Sequence, residues 1–284
     1  MCAILMQVTG NDHRHLWLLS GTGEGPGLAT ALISLGWQVS VSVVTREAAV
    51  AYEGVPLAAL WIGPLSGVEG ISRVLQQRRR QGERFEWVVD ATHPFATVIR
   101  AELERSCRQC GQPLLRFERP LEAADQQRLI SSAGDLSCLE LRGSRLLLAI
   151  GSRQLSQAVA AAKLAGAEVF ARVLPSPEGL RQALAAGLPP EHLAPLRPTA
   201  GPNAGGLEAA LCRRWGITVV LCRQSGGAIE GLWQAVCHQQ GLEHLMIARP
   251  SPGANTDLVN SLDELLARVG NAQSAVSPSG GGDG

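Results

Sequence analysis

From Leu16 onward the chain repeats one pattern: a short apolar run, a turn marked by glycine or proline, and a segment with helical apolar spacing. Leu16-Trp17-Leu18-Leu19 leads into Ser20-Gly21-Thr22-Gly23-Glu24-Gly25. Pro26 then suits a first helical turn, where its missing N–H leaves nothing unsatisfied. Leu28, Leu32 and Leu35 give that helix one apolar face, and Gly36 ends it. Gln38 to Val44 reads as a second strand, closing at Thr45-Arg46. A helix carrying Val68, Ile71 and Leu75 follows, then a strand from Phe85 to Val89 and the turn Asp90-Ala91-Thr92-His93-Pro94. A helix to Cys110 and a strand over Pro113–Phe117 complete the first series. The second series starts near residue 145, with strands over Leu146–Ile150, Val169-Phe170, Ile217–Cys222 and His244–Ala248. Its segment from Leu188 to Pro202 is proline-rich and reads as irregular.

Strands alternating with helices predict an α/β protein: two Rossmann-like domains, mainly parallel sheets, helices on both faces. The expected division is an N-terminal arm over 1–15, a nucleotide-binding domain over 16–140, a second domain over 141–269, and a Gly/Ser-rich disordered tail over 270–284.

With 45% hydrophobic residues, the 284-residue chain can bury a real core. The 25 basic and 25 acidic residues cancel, which argues against nucleic-acid binding through backbone electrostatics. No apolar run reaches the roughly 18 residues of a spanning helix, and the start lacks the charged region of a signal peptide. The expectation is a soluble cytoplasmic protein. Lys163 is the only lysine; the arginine bias follows base composition as readily as it would serve an anionic ligand. Seven cysteines give no disulfide framework, and the lone CxxC of Cys107 and Cys110 continues the helical stripe of Ile99 and Leu103, so no metal site is expected. His13 and His15 fall in the arm and stay unassigned.

The turns carry the chemistry, because ligands of such folds lie beyond the carboxyl ends of the strands. A glycine-rich turn admits a ligand to the backbone, and the helix N-terminus behind it favours phosphate. Ser20, Gly21, Thr22, Gly23, Glu24 and Gly25 are therefore candidate cofactor contacts. Their spacing is the GxGxG of many S-adenosylmethionine methyltransferases, since the third glycine of GxGxxG falls on Pro26. A purely structural turn is the plainer alternative. At the end of strand two, Thr45 and Arg46 stand where a ribose-binding acid is usual. A cation there suits a 2′-phosphate and favours NADPH over NADH or S-adenosylmethionine. Glu47 keeps the acidic reading open, and Arg46 facing solvent is the plain alternative. Asp90 and Thr92 join the cofactor candidates. His93 precedes a proline, which holds it extended, and is the candidate proton donor.

These residues together resemble the precorrin-6A reductase family of cobalamin biosynthesis, from about Leu16 to Pro250. The most specific element is Asp90-Ala91-Thr92-His93-Pro94-Phe95-Ala96, similar to the family's DATHPFA signature. Leu114–Pro120, Gln224-Ser225-Gly226-Gly227 and Ala248-Arg249-Pro250 support it. The first turn departs from the family's usual GGTTEA, and Gly201-Pro202-Asn203 lacks the family's phenylalanine. The resemblance implies two Rossmann-like domains with the active site between them. It implies NADPH-dependent reduction of one double bond of precorrin-6A, or of its cobalt form, with a hydride from the cofactor and a proton added next to it. The tetrapyrrole's acidic arms need cationic partners, and Arg116, Arg119, Arg153, Arg223 and Arg249 are the candidates. Ser225 and Gly226 are expected to offer backbone N–H groups to one carboxylate. The proton comes from His93 or from water. Other corrin-pathway enzymes are candidate protein partners.

Two rival readings remain at this level. A methyltransferase requires an acid near strand two, against Thr45-Arg46. A non-catalytic tetrapyrrole carrier would bind the macrocycle but no NADPH.

Overall fold

The computed structural model describes residues 14–121, 127–197, 204–253 and 256–270. The chain forms two units: unit 1 comprises 1–118 and 251–284, and unit 2 comprises 119–250. Unit 1 runs β1 (His15–Ser20), α1 (Gly25–Ser34), β2 (Gln38–Val43), α2 (Arg46–Val50), β3 (Ala59–Ile62), α3 (Gly67–Arg80), β4 (Trp87–Ala91), α4 (Thr97–Cys110) and β5 (Leu114–Phe117). Unit 2 runs β6 (Gln127–Ile130), a 3₁₀ turn over Ala133–Cys138, β7 (Arg145–Leu148), α5 (Leu155–Leu164), β8 (Glu168–Val173), α6 (Pro177–Ala185), β9 (Leu193–Pro195), α7 (Gly206–Trp215), β10 (Val219–Arg223), α8 (Ala228–Gln240) and β11 (Glu243–Ile247). The chain then returns to unit 1 with β12 (Asp257–Val259) and α9 (Leu262–Gly270).

Each unit holds one parallel six-stranded sheet. The orders are β3-β2-β1-β4-β5-β12 and β9-β8-β7-β10-β11-β6. Both are doubly wound, with the order reversing between β1 and β4 and between β7 and β10. The outer place beside β5 is filled by the last strand among the described residues, and the matching place beside β11 by a strand that precedes the other strands of unit 2.

Strand β1 explains why the sheet takes helices on both faces. Its residues are all buried, and alternate side chains serve opposite faces. Leu16 and Leu18 pack with Leu28 and Leu32 of α1 and Leu265 of α9. Trp17 and Leu19 pack with Ile71 and Leu75 of α3 and Leu103 of α4. The indole of Trp17 donates to Ser42 Oγ at 2.9 Å, so its one polar atom is satisfied inside the core.

Four expectations change. His15 belongs to no arm: it opens β1, is buried and pairs with Ser40 Oγ at 2.9 Å. The division falls after Glu118 and not after residue 140, because β6 pairs with β11 of unit 2. Residues 251–270 belong with unit 1, because β12 pairs with β5. The stretch from Leu188, read as irregular, contains β9 paired with β8. The arm residues 1–13 and the tail residues 271–284 lie outside the described residues, whereas Gly270 ends α9. Cys107 is buried, and burial pushes its thiol up to about 12, which fits a core residue.

Candidate functional site

In unit 1 the turns after β1 and β4 lie side by side at the reversal of strand order. A Cβ built on Gly21 would come 3.5 Å from His93 N and 3.8 Å from Thr92 Cα. Gly25 is glycine for an internal reason: a Cβ there would collide with Ser20 Oγ and Tyr52 OH. Ser20 and Gly25, both buried, therefore pack the turn from beneath. Gly21, Thr22, Gly23 and Glu24 form the outer lip.

Gly23 and Gly27 behave oppositely to Gly25. Neither has any atom within 4 Å of an added Cβ. Glycine within a helix costs about 1 kcal/mol relative to alanine. Space for a side chain beside Gly27 therefore needs an explanation, and close approach of a ligand to the backbone supplies one. Helix α1 starts after its N-cap Glu24 with no side-chain cap hydrogen bond, and no acidic residue follows in its first turn. Gly25 N already donates to Thr22 O at 3.3 Å, Pro26 has no N–H and Leu28 N donates to Glu24 O at 3.0 Å, so Gly27 N is the donor of this turn suited to a phosphate. Gly27 went unnoticed in the sequence because it lies inside the helical pattern, three residues past Glu24.

At the end of β2, Thr45 accepts from Ala48 N at 3.2 Å and caps α2. Its hydroxyl has a structural task. Arg46 beside it is exposed.

The β4–α4 turn rests on a buried network of four charges. Arg116 is fully buried. Its Nη1 lies 2.6 Å from Asp90 Oδ2 and donates to Thr92 Oγ1 at 3.0 Å, while Nε donates to Glu118 Oε1 at 3.1 Å. Asp90 Oδ1 accepts from Thr92 N at 2.9 Å. Arg100 donates to Glu118 Oε1 at 3.2 Å. Asp90 and Arg116, expected to contact cofactor and substrate, are instead internal: they hold Thr92. His93 is half-buried and its Nδ1 accepts from Phe95 N at 3.2 Å. In the neutral ring this puts the proton on Nε2, making that atom the donor.

Unit 2 presents different chemistry at its reversal point. Arg153 is exposed in the β7–α5 turn. Arg223, at the end of β10, donates to Gln154 Oε1 at 3.2 Å. Burial, then the nearby charge of Arg153, pulls the Arg223 pKa down, so these two cations stand together. Arg249 is tied to backbone: Nη1 donates to Arg119 O at 2.7 Å and Nε to Gln224 O at 3.3 Å. Gly226 and Gly227 have φ of 68° and 76°. A Cβ on Gly226 would lie 2.7 Å from Arg249 Nη2, and one on Gly227 would strike Arg119. The N–H of Gly226 donates to Glu230 Oε2 at 2.6 Å. A protein carboxylate thus occupies the place expected for a substrate carboxylate, and Ser225 is buried beside it.

The structure therefore gathers Gly21, Thr22, Gly23, Thr92 and His93 in unit 1, and Arg153 with Arg223 in unit 2. Sequence reasoning missed Arg100, Glu118, Tyr52 and Glu230. It also missed the buried Arg172 of β8 and Glu208 of α7, where burial lowers the arginine pKa and Glu208 opposes that shift. Arg100 carried a legible signal: a cation in the first turn of a helix opposes the helix dipole and needs a reason.

Two doubly wound units, one with a glycine turn beside a histidine, place the chain in the class of Rossmann-like α/β proteins. Residues 15–270 match the family described as precorrin-6x reductase CbiJ/CobK, and the chain belongs to that family. It is 33% identical over 263 residues to a cobalt-precorrin-6A reductase of Synechocystis sp., covering 89% of this chain and 96% of that protein. It is 31% identical over 250 residues to a precorrin-6A reductase of Mycobacterium tuberculosis, covering 86% and 93%. A solved CobK precorrin-6A reductase superposes with a TM-score of 0.69 at 28% identity, covering 90% of this chain and 97% of that one. The family is one of oxidoreductases in cobalamin biosynthesis, and a reductase of this kind implies a nicotinamide cofactor. Among the described residues no helix is long and apolar enough to cross a membrane.

Proposed function

We propose that the protein reduces one double bond of precorrin-6A, or of its cobalt form, with NADPH held by unit 1. The observation that carries this reading is the uncapped start of α1 with Gly23 and Gly27 open beside it. Bound there, NADPH supplies the hydride. The N–H of Gly27 takes the diphosphate, and the exposed guanidinium of Arg46 takes the 2′-phosphate. Thr92, fixed by Asp90 and Arg116, would help to hold the nicotinamide end of the cofactor. The proton for the carbon next to the one that receives hydride comes from a water whose oxygen accepts from His93 Nε2–H, because a neutral ring that lost its own proton would be left as an imidazolate. Arg153 and Arg223 attract the acidic arms of the macrocycle.

The test is calorimetric titration with NADPH, NADH and S-adenosylmethionine in parallel. NADPH binds most tightly, and Arg46→Ala removes the preference over NADH. The loss is about tenfold to a hundredfold, the 1.5–3 kcal/mol of a hydrogen bond between charged groups. Binding of S-adenosylmethionine alone would overturn the reading.

A further inference from the structure

Arg100 is the residue of unit 1 whose placement local rules least explain. It lies in the first turn of α4, where the helix N-terminus already carries partial positive charge. It is buried, and that burial, together with Arg116, lowers its pKa against the pull of Glu118 and Asp90. A buried cation in such a place needs strong partners. Its partners come from three separate stretches of the chain. Nη2 donates to Pro94 O at 2.6 Å and to Glu118 Oε1 at 3.2 Å. Nη1 donates to Ser251 O at 3.3 Å. Glu118 is the last residue of unit 1 before the chain passes to unit 2, and Ser251 is the first on its return. Pro94 follows His93 in the turn that faces Gly21.

We propose that Arg100 is a positioning residue that ties the Thr92–Pro94 turn, and so His93, to both points where the chain leaves and re-enters unit 1. It touches neither substrate nor cofactor. It acts through Pro94 O, setting how the turn lies against the glycine lip. Glu118 links this setting to Arg116 and Thr92, so one guanidinium governs both ends of the turn. The proposal rests on the reading that NADPH binds at this lip.

Lysine at 100 keeps the charge but loses the fork that reaches three acceptors at once. The experiment compares wild type and Arg100→Lys in thermal stability, NADPH affinity, turnover with precorrin-6A, and the isotope effect with NADPH deuterated at the transferred position. Arg100→Lys is expected to stay folded and bind NADPH as wild type does. Its kcat should fall about tenfold to a hundredfold, the scale of a 1 Å misplacement, with a larger isotope effect as hydride transfer becomes limiting. A residue that served stability alone would leave the isotope effect unchanged. If Arg100→Lys does not fold, Glu118→Gln loosens the same tether from the other side and carries the same expectation. Wild-type kcat and isotope effect in whichever of these variants folds would overturn the proposal. Wild-type protein that binds no NADPH would overturn the cofactor reading and this proposal together. Wild-type turnover beside unaffected variants would overturn this proposal alone.

Discussion

Units 1 and 2 share a strand order, and in both the turn at the reversal point runs into a helix in the same way, at Gly25 and at Leu155. They fill that shared frame differently. Gly21-Thr22-Gly23-Glu24-Gly25 stands in unit 1 where Gly151-Ser152-Arg153-Gln154-Leu155 stands in unit 2. After the fifth strand, Glu118-Arg119-Pro120 matches Ala248-Arg249-Pro250: Glu118 N donates to Val259 O and Ala248 N to Ile130 O, each reaching the outer strand. The side chain at this place is a buried carboxylate in unit 1 and a methyl in unit 2. Unit 1 therefore holds its turn with internal ion pairs and leaves backbone open to a ligand. Unit 2 closes its turn with an apolar side chain and leaves cations at its edge. One fold thus carries two turn chemistries, decided by a handful of residues.

The largest effects should come from exchanging the packing roles of Gly25 and Leu155. Leu155 is fully buried, so Leu155→Ala should destabilise by about 2–5 kcal/mol. Gly25→Ala should also destabilise, by about 1–3 kcal/mol, because its Cβ has Ser20 and Tyr52 in its way. Urea unfolding of both variants measures this. A neutral Gly25→Ala would mean that the glycine is there for a ligand and that the contrast with Leu155 is misread.

Next comes the double variant Arg153→Ala/Arg223→Ala. It should raise the KM for the tetrapyrrole about tenfold or more, at roughly 1.4 kcal/mol per decade, while NADPH affinity stays unchanged. Steady-state kinetics with each ligand varied in turn checks it. A change in NADPH affinity of equal size would erase the division of labour between the units.

How far the sequence disclosed this division depended on whether the relevant physics was local. The glycine turn, Arg46 and the His93-Pro94 step were legible, because turn chemistry and strand ends are written in adjacent residues. Strands β3, β9 and β12 were not, because each is only three or four residues at or next to a sheet edge, too short for a period to register. The return of β12 to unit 1 was invisible for another reason: its pairing with β5 joins residues some 140 positions apart, and no local pattern encodes that. Arg116 looked like a substrate ligand because it stands at a strand end. Glu118 lies only two residues on, and the fold brings Asp90 to it from β4. Gly226 failed likewise, since its N–H was taken by Glu230, one helical turn on.

Gly27→Ala sharpens the contrast from the side of unit 1. Alanine should stabilise the ligand-free protein by about 0.5–1 kcal/mol, because Gly27 has ordinary helical geometry and open space around it. The same methyl would stand where a diphosphate approaches, so NADPH should bind more weakly. Thermal melts and NADPH titration on one preparation would display the opposite signs. Higher stability with unchanged affinity would move the diphosphate away from Gly27.

The smallest expected effect concerns a feature that the units have in common. Each carries a buried histidine on a strand, His15 beside Ser40 and His244 beside Cys222 Sγ at 3.0 Å. Burial lowers both pKa values from 6.5, with Arg78 adding to the shift at His15. A histidine with a lowered folded pKa binds fewer protons folded than unfolded once the pH drops below the unfolded value. Stability should therefore be flat in these two groups above neutral pH. It should decline as the pH falls through about 6.5, and continue to decline until the folded pKa is passed. Replacing His15 by Gln and His244 by Gln one at a time, and following urea midpoints from pH 8 to pH 5, separates the units. If each variant flattens part of the slope, the burial penalty is distributed over both sheets. If only His15→Gln does so, the acid sensitivity belongs to unit 1, whose core would then be the first to loosen in acid.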